Sequence, residues 1–275
     1  MAGAEDIKVK RESTAMKVGL STLYLFELPF TDVLKELETI DADTVEIVDD
    51  GRHSLDETRV GQLNKIIRKK GFATSVHAPF IDVNIALPSE TARAAVLARL
   101  KRSLQFTSEL GSGYWVFHPG LYTESNYVTP DYIRKLNLES VRELLSAAHE
   151  LGVEPTIENG LHPLPFVCRT ADDFVRFYND LGETSLGVTF DLGHANVNGQ
   201  IDEIFQKIPK KIVHTHLHDN HGTNDEHLGI GDGNIDWHKT VAEFKRIGFK
   251  GTLVVESAKN AKESVQKLRA LLDEG

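Results

Sequence analysis

Ser75-Val76-His77-Ala78-Pro79 is a short apolar run that ends on a histidine and is closed by a proline. Val116-Phe117-His118-Pro119-Gly120 repeats the device farther along the chain. Proline has no N–H to give to a strand ladder, so each run stops where its imidazole stands. Four more runs end in metal-binding side chains: Thr156-Ile157-Glu158-Asn159, Thr189-Phe190-Asp191-Leu192-Gly193-His194, His214-Thr215-His216-Leu217-His218-Asp219 and Val254-Val255-Glu256-Ser257. Asp225-Glu226-His227 adds a further group in a Gly-rich stretch, 220–234. Imidazoles and carboxylates are the donors that Zn²⁺, Mn²⁺ and related cations take. One such histidine alone reads more simply as a core residue bonded to backbone, and one such glutamate as a salt-bridge partner. A series of them at successive strand ends reads as a single metal site.

Working outward, short strands rich in Val, Ile, Thr and aromatics recur at Lys17–Thr22, Thr44–Val48, Ala73–His77, Tyr114–His118, Glu154–Glu158, Gly187–Asp191, Ile212–Leu217 and Thr252–Glu256. Helical patterns lie between them. Ser54-Leu55-Asp56-Glu57 has the form of a capping box, Thr129-Pro130 places a cap before a first-turn proline, and Ser89, Thr170 and Asp236 are further caps. Gly71, Gly111, Gly152, Gly182 and Gly248 stand near helix ends. Eight β-α units over this length predict an α/β (β/α)₈ TIM barrel, which gathers its chemistry at the C-terminal ends of its strands. A doubly wound open sheet is the alternative, but it does not explain ligand-type residues ending strands from the third to the eighth.

The chain has 275 residues, of which 40% are hydrophobic, enough for a sizeable core. No linker or composition shift divides it, so residues 16–275 are expected to form one barrel domain. Met1–Ala15 is polar and charged, does not read as a secretory signal, and is expected to be a flexible tail. No apolar run approaches a membrane span. A single cysteine, Cys168, excludes an internal disulfide and suits a reducing cytoplasm. The formal charge of −10 disfavours broad polyanion binding and suits a site that attracts cations. Nothing in the sequence points to a particular oligomeric state.

Within the site, Glu158 and Glu256 each end an apolar strand, where a bare carboxylate is costly and must be paired or metal-bound. A facing pair of that kind is what proton transfer between two faces of a substrate needs. Asp191 ends its strand, and His194 lies in the turn after it; Asp191 can cap the following helix as well. His214, His216 and His218 alternate and so point the same way if the strand persists. His216 is the expected ligand, His214 a packed residue deeper in the barrel, and His218 a loop residue behind the ligands or against substrate. His53, His149, His162, His221 and His238 lack strand-end context and are expected at the surface or behind the ligands. Trp115 is expected in the core. Phe80, Phe190 and Trp237 are candidates for a pocket wall, with core packing the simpler reading.

The order His-Ala-Pro, His-Pro-Gly, Glu-Asn, Asp-x-x-His, His-Leu-x-Asp, Asp-x-His and a final strand Glu resembles the xylose isomerase-like TIM barrel superfamily, over about residues 16–273. That group holds sugar and sugar-phosphate isomerases and epimerases, and also the endonuclease IV type of abasic-site nuclease, AP endonuclease family 2. The resemblance to the epimerases implies one Mn²⁺, Mg²⁺ or Co²⁺ held by Glu158, Asp191, His216 and Glu256, with His194 touching substrate. The resemblance to the nuclease implies three Zn²⁺ held by nine residues: His77, His118, Glu158, Asp191, His194, His216, Asp225, His227 and Glu256. Two stretches depart from the nuclease, Val18-Gly19-Leu20-Ser21-Thr22 and Asn159-Gly160-Leu161-His162-Pro163. They stand where the nuclease grips DNA.

Two functions follow from that resemblance. The first is a divalent-metal-dependent isomerase or epimerase of a sugar, sugar phosphate or cyclitol, working through a metal-stabilised enediolate, with Glu158 and Glu256 moving the proton and His194 and His218 at the substrate. The second is a zinc phosphodiesterase acting on abasic DNA or another phosphoester. The acidic balance, the absence of a Lys/Arg array and the altered loops favour the small sugar-like substrate over nucleic acid.

Overall fold

The computed structural model describes residues 16–123, 128–182 and 184–274. The head, 1–15, lies outside the described residues. Eight parallel strands close into a barrel in sequential order: β1 (Lys17–Ser21), β2 (Thr44–Val48), β3 (Ala73–His77), β4 (Tyr114–Phe117), β5 (Glu154–Glu158), β6 (Gly187–Asp191), β7 (Ile212–Leu217) and β8 (Thr252–Val255). The ring closes through β1 against β8, with Gly19 opposite Val254. A Cβ on Gly19 would meet Thr252 Cγ2 at 2.9 Å and Val254 Cγ2 at 3.0 Å, so the close approach of these strands requires glycine there. β1, β4 and β8 each stop one residue short of the sequence reading. For β4 the cause is Pro119, which leaves His118 just past the last ladder bond.

The helices form the outer layer: α1 (Phe30–Leu37), α2 (Glu57–Lys70), α3 (Glu90–Leu110), α4 (Pro130–Leu151), α5 (Ala171–Leu181), α6 (Leu192–Val197), α7 (Ile201–Lys207), α8 (Trp237–Arg246) and α9 (Ala261–Asp273). Ser89, Thr129, Thr170 and Asp236 cap their helices through side-chain oxygens, and Thr170 and Asp173 complete a reciprocal capping box. The Ser54–Glu57 capping box is corrected. Asp56 caps α2 by accepting from Arg59 N at 2.8 Å, and Glu57 is already the first helical residue.

Alternation along the strands divides two kinds of core. Val45, Ile47, Ile157, Val188 and Phe190 face outward into one hydrophobic cluster with Leu63, Leu100, Leu144 and Phe174 of the helices. Phe190 packs against Phe205 and Phe244, with ring centroids 5.1 and 6.3 Å away, so it belongs to this layer and not to a pocket wall. Trp115 is fully buried and donates Nε1–H to Ser103 Oγ. The barrel interior is polar. Glu46 of β2 reaches His214 of β7, a strand it does not pair with, so the contact crosses the interior. Thr156 and Thr189 share a hydrogen bond of 2.6 Å in the same interior.

Candidate metal centre

Four strand ends bring together Glu158, Asp191, His216 and Glu256, all buried, with ligand atoms within 4.8 Å of one another. Register sets this frame: Asp191 is opposite His216, and His216 is opposite Val254, two residues before Glu256. The amide of Asn159 ties β5 to β6, accepting from Asp191 N at 2.8 Å and donating to Asp191 O at 2.9 Å. Asp191 Oδ1 caps α6 by accepting from His194 N at 2.6 Å, while Oδ2 has no hydrogen-bond partner and lies 3.9 Å from His216 Nδ1. Capping therefore occupies one oxygen of the carboxylate and leaves the other open to a ligand.

Glu158 is the shared member. Its Oε2 accepts from His118 Nε2 at 3.0 Å and lies 3.3 Å from His77 Nε2. Its Oε1 lies 3.2 Å from His216 Nδ1 and 3.4 Å from His194 Nδ1. His77, His118 and Glu158 thus form a second cluster that joins the first through one carboxylate. A third cluster comprises His194, His218, Asp225 and His227. The structure accordingly brings all ten sequence-derived site residues into three adjoining groups. His218 is the first residue after β7 and is fully buried, with Nε2 3.5 Å from Asp225 Oδ1.

The imidazoles are held in ligand-type tautomers. His77 Nδ1 donates to Ala78 O, His194 Nδ1 to Asn159 O and His227 Nδ1 to Glu256 O, at 2.8, 2.9 and 2.8 Å. A carbonyl only accepts, so Nδ1 carries a proton in each ring, and Nε2 is the nitrogen turned toward the carboxylates, where a proton or a cation can sit. His216 is reversed. Its Nδ1 faces the four-residue group, and its Nε2 lies 2.8 Å from Glu46 Oε1, though without an aligned hydrogen bond.

Glu46 is a buried carboxylate beside the site that the sequence reading did not single out. It is fully buried, and its Oε2 accepts from Ser75 Oγ and His214 Nε2, both at 2.9 Å. His214 is deep in the barrel, and it is hydrogen-bonded there, not merely packed. A carboxylate behind a ligating histidine fixes the ring and raises its basicity. His53 is also corrected. It is buried beneath Phe26 and Phe30, with Nε2 donating to Leu28 O, and is neither at the surface nor behind the ligands.

The charge field favours a cation. Burial opposes ionisation of Glu158, but His216 and His118 outweigh it and hold its carboxyl well below the usual range. Burial, reinforced by the charge of Glu158, pushes Glu256 up against the pull of His216. Burial opposes charge on His77, His194 and His227 too, yet neighbouring carboxylates lift them to about 9, about 10 and about 9. The carboxylates thus draw positive charge onto their neighbours, and a divalent cation supplies it without protons. The buried atoms fit the same need. Asp191 Oδ2, His216 Nδ1, both nitrogens of His218 and Asp225 Oδ1 have no hydrogen-bond partner, a costly state that ligation removes.

Phe80 and Phe166 flank this mouth, with ring centroids 6.0 and 5.5 Å from His118. Trp237 stands aside and donates Nε1–H to Asp219 Oδ2 at 2.8 Å. Among the described residues, none of the ion pairs made by the site carboxylates uses a lysine or arginine. A cavity of about 500 Å³ lined by Met16, Val18, Asp43 and Phe249 contains none of these ligand groups.

Residues 34–273 match the family described as xylose isomerase-like TIM barrel. An uncharacterized protein of Methanocaldococcus jannaschii is 31% identical, covering 93% of this chain and 88% of its own. Fructoselysine 3-epimerase of Escherichia coli O157:H7 is 22% identical over 94% of this chain and 99% of its own. The crystal structure of a D-tagatose 3-epimerase-like protein superposes with a TM-score of 0.85 at 30% identity, over 94% of this chain and 99% of that one. The chain belongs to the xylose isomerase-like TIM barrel family.

Proposed function

We propose that this protein is a divalent-metal-dependent isomerase or epimerase of a sugar-like substrate. The observation that carries the reading is the group Glu158, Asp191, His216 and Glu256, in which two glutamates from different strand ends face one another within 4.8 Å. The similarity to epimerases supports the substrate class. A Zn²⁺ or Mn²⁺ ion there, with Mg²⁺ or Co²⁺ as alternatives, would polarise neighbouring carbonyl and hydroxyl oxygens and acidify the adjacent C–H.

The chain's own residues supply the rest. Glu158, ionised beside His216 and His118, has no proton to give and is the member of the pair open to accept one. Glu256, pushed up by burial and by Glu158, is suited to hold one and return it from the other side. His194, fixed by Asn159 O, orients the polar groups around the pair. Phe80 and Phe166 give the mouth an apolar wall that limits water. Among the described residues the site carboxylates have no Lys/Arg partner, which suits a neutral sugar better than a polyanion.

A zinc phosphodiesterase is the second reading. It is favoured by one observation, the three adjoining ligand groups, which together can hold up to three ions. One paired experiment separates the two. The metal-loaded protein is given a panel of ketoses and their phosphates in D₂O, and separately an abasic-site duplex. Deuterium entering a sugar at the isomerised or inverted carbon, abolished by Glu256→Gln, is the expected result. Duplex cleavage without sugar turnover overturns it.

A further inference from the structure

The barrel mouth carries more apolar surface than its ligand groups use. Among the described residues, five large hydrophobic side chains are exposed, and three of them, Leu28 (40%), Ile81 (48%) and Leu164 (47%), stand in the segments after β1, β3 and β5. Those segments edge the face where a barrel of this kind meets its substrate. Exposed apolar side chains gathered at one face mark a binding surface, whereas scattered ones need no explanation.

Two of the three are held in place by buried polar groups. Asp50 Oδ2 accepts from Phe80 N and from Ile81 N, both at 2.7 Å, and its Oδ1 accepts from Gly51 N at 2.6 Å. His53 Nε2 donates to Leu28 O at 2.9 Å. The segments after β1, β2 and β3 are thereby tied into one unit. Phe26 fills the space between them, with its ring edge-on to His53 at 5.5 Å and 6.0 Å from Phe80. The backbone is shaped for that ring, because Gly51 has φ +50° and a Cβ on it would meet Phe26 Cζ at 2.9 Å. Phe80 joins this ledge to the ligand groups, since its ring lies 5.1 Å from His77 and 6.0 Å from His118. One apolar surface therefore runs from the ligand groups past Phe80 to Phe26, Leu28 and Ile81.

We infer that the substrate is a sugar carrying an apolar substituent, alkyl or aryl, at the end away from the reacting carbon, and that Phe26, Leu28 and Ile81 hold that substituent. The inference rests on the isomerase reading and narrows its substrate class. The reacting end of the sugar belongs at the Glu158–Glu256 pair, and its nearer face can lie on Phe80. Phe26 stands a full ring beyond Phe80, past the reach of the same sugar. Leu28 and Ile81 have no side-chain hydrogen-bonding group, so a sugar hydroxyl gains nothing there. An alkyl group that leaves water on the ledge gains about 4-fold in affinity per buried methylene. Side chains already held by Asp50 and His53 lose little freedom on binding, which keeps that gain from being offset. A second copy of the chain seated on the ledge would cover the mouth that substrate must enter, which leaves the substrate itself as the occupant.

The test uses the full chain loaded with Mn²⁺ and a panel of ketohexoses, each offered plain and as the methyl, butyl and phenyl ether of its terminal hydroxyl. For the sugar that is turned over, kcat/KM is expected to rise along the series, by at least about 10-fold for the phenyl ether, with the change carried by KM. Leu28→Ser combined with Ile81→Ser, both at exposed positions, brings the ratio of phenyl ether to plain sugar back toward one. Calorimetry with the matching hexitols and their phenyl ethers, which cannot isomerise, reads the same preference without turnover, with a more negative heat-capacity change for the ether. Equal or better kcat/KM for the plain sugar overturns the inference and leaves the isomerase reading standing. Turnover of none of these sugars counts against that reading instead, and calorimetry still decides the ledge: tighter binding of the ether supports it, and equal binding overturns it. Concentration-dependent dimerisation that is lost in the double variant assigns the ledge to a second copy and overturns the inference as well.

Discussion

The Glu158–Asp191–His216–Glu256 group and the His194–His218–Asp225–His227 group sit side by side but are held in place by different means. The first is fixed by strand register, with Asp191 opposite His216 and every side chain buried. The second takes two members from a loop, where the Asp225 and His227 side chains are 23% and 19% exposed. Strand ends inside a closed barrel are among the least mobile points of a fold, and loops among the most. The difference teaches that adjacent groups can differ in how firmly they are built. A group fixed by strand register keeps its geometry by itself, whereas one that draws on a loop depends on the order of that loop.

The largest expected effect tests that division. Glu158→Gln removes the carboxylate that stands between two ligand groups and is expected to cost about 10²- to 10⁴-fold in turnover. The measurement is initial sugar turnover at saturating metal. An equal loss from Asp225→Asn under the same conditions would merge the two groups into one reacting site.

Asp219→Asn probes the loop from within. Its carboxylate accepts from Asn220 N, Gly231 N, Ile235 N and Trp237 Nε1, at 2.9, 2.9, 3.2 and 2.8 Å. An amide replaces one acceptor oxygen with a donor, which faces two N–H groups whichever way it turns. The expected loss is about 3 kcal/mol of stability, read by denaturant unfolding, with faster amide exchange concentrated in 219–234. Loss of order spread evenly around the barrel would show that the loop is not a separate unit.

The strands and the site candidates at their ends are legible because a strand's last residue announces itself. A β-branched run followed by proline, glycine or a cap puts the ligand at the rim, as at His77-Ala78-Pro79 and Asp191-Leu192-Gly193. Glu46 was not legible. Within Val45-Glu46-Ile47 it looks like the polar half of an alternating strand, and its partner His214 is 168 residues away. Only closure of the barrel sets β2 across from β7. The one available signal was that a parallel strand is covered on both sides, so a carboxylate in its middle needs a partner. The burial of His218 is hidden for a related reason. Alternation put it in line with His214 and His216, but the sequence does not show that the loop folds back over it, a fold set by the Asp219–Leu228 bridge.

Glu46→Gln sharpens the comparison from beneath the strand-end group. It keeps the shape but removes the charge behind His216 and His214, and is expected to weaken metal binding at the strand-end group about 10- to 100-fold. Competition with a chelator measures it, with unfolding of the metal-free protein as the control. A matching loss of stability in the metal-free protein would mean that Glu46 supports the whole barrel and does not act through His216.

The smallest effect is expected at the outer edge of the same loop, and it separates depth from position. Lys267 of α9 donates to Ile230 O at 2.8 Å and to Asp232 Oδ1 at 3.2 Å. Asp232 also accepts from Asn260 Nδ2 at 2.9 Å. These bonds join the loop to a helix just as the Asp219 bonds join it to β7, and a count of contacts would rank them alike. Exposure ranks them apart, since the Lys267 and Asp232 side chains are 49% and 34% accessible while Asp219 is fully buried. Water replaces an exposed bond at little cost, and salt screens what charge remains. Lys267→Ala is therefore expected to lower stability by less than about 1 kcal/mol, with loop exchange and metal content unchanged. A loss as large as that of Asp219→Asn would place the loop's anchor on the helix layer and not at the end of β7.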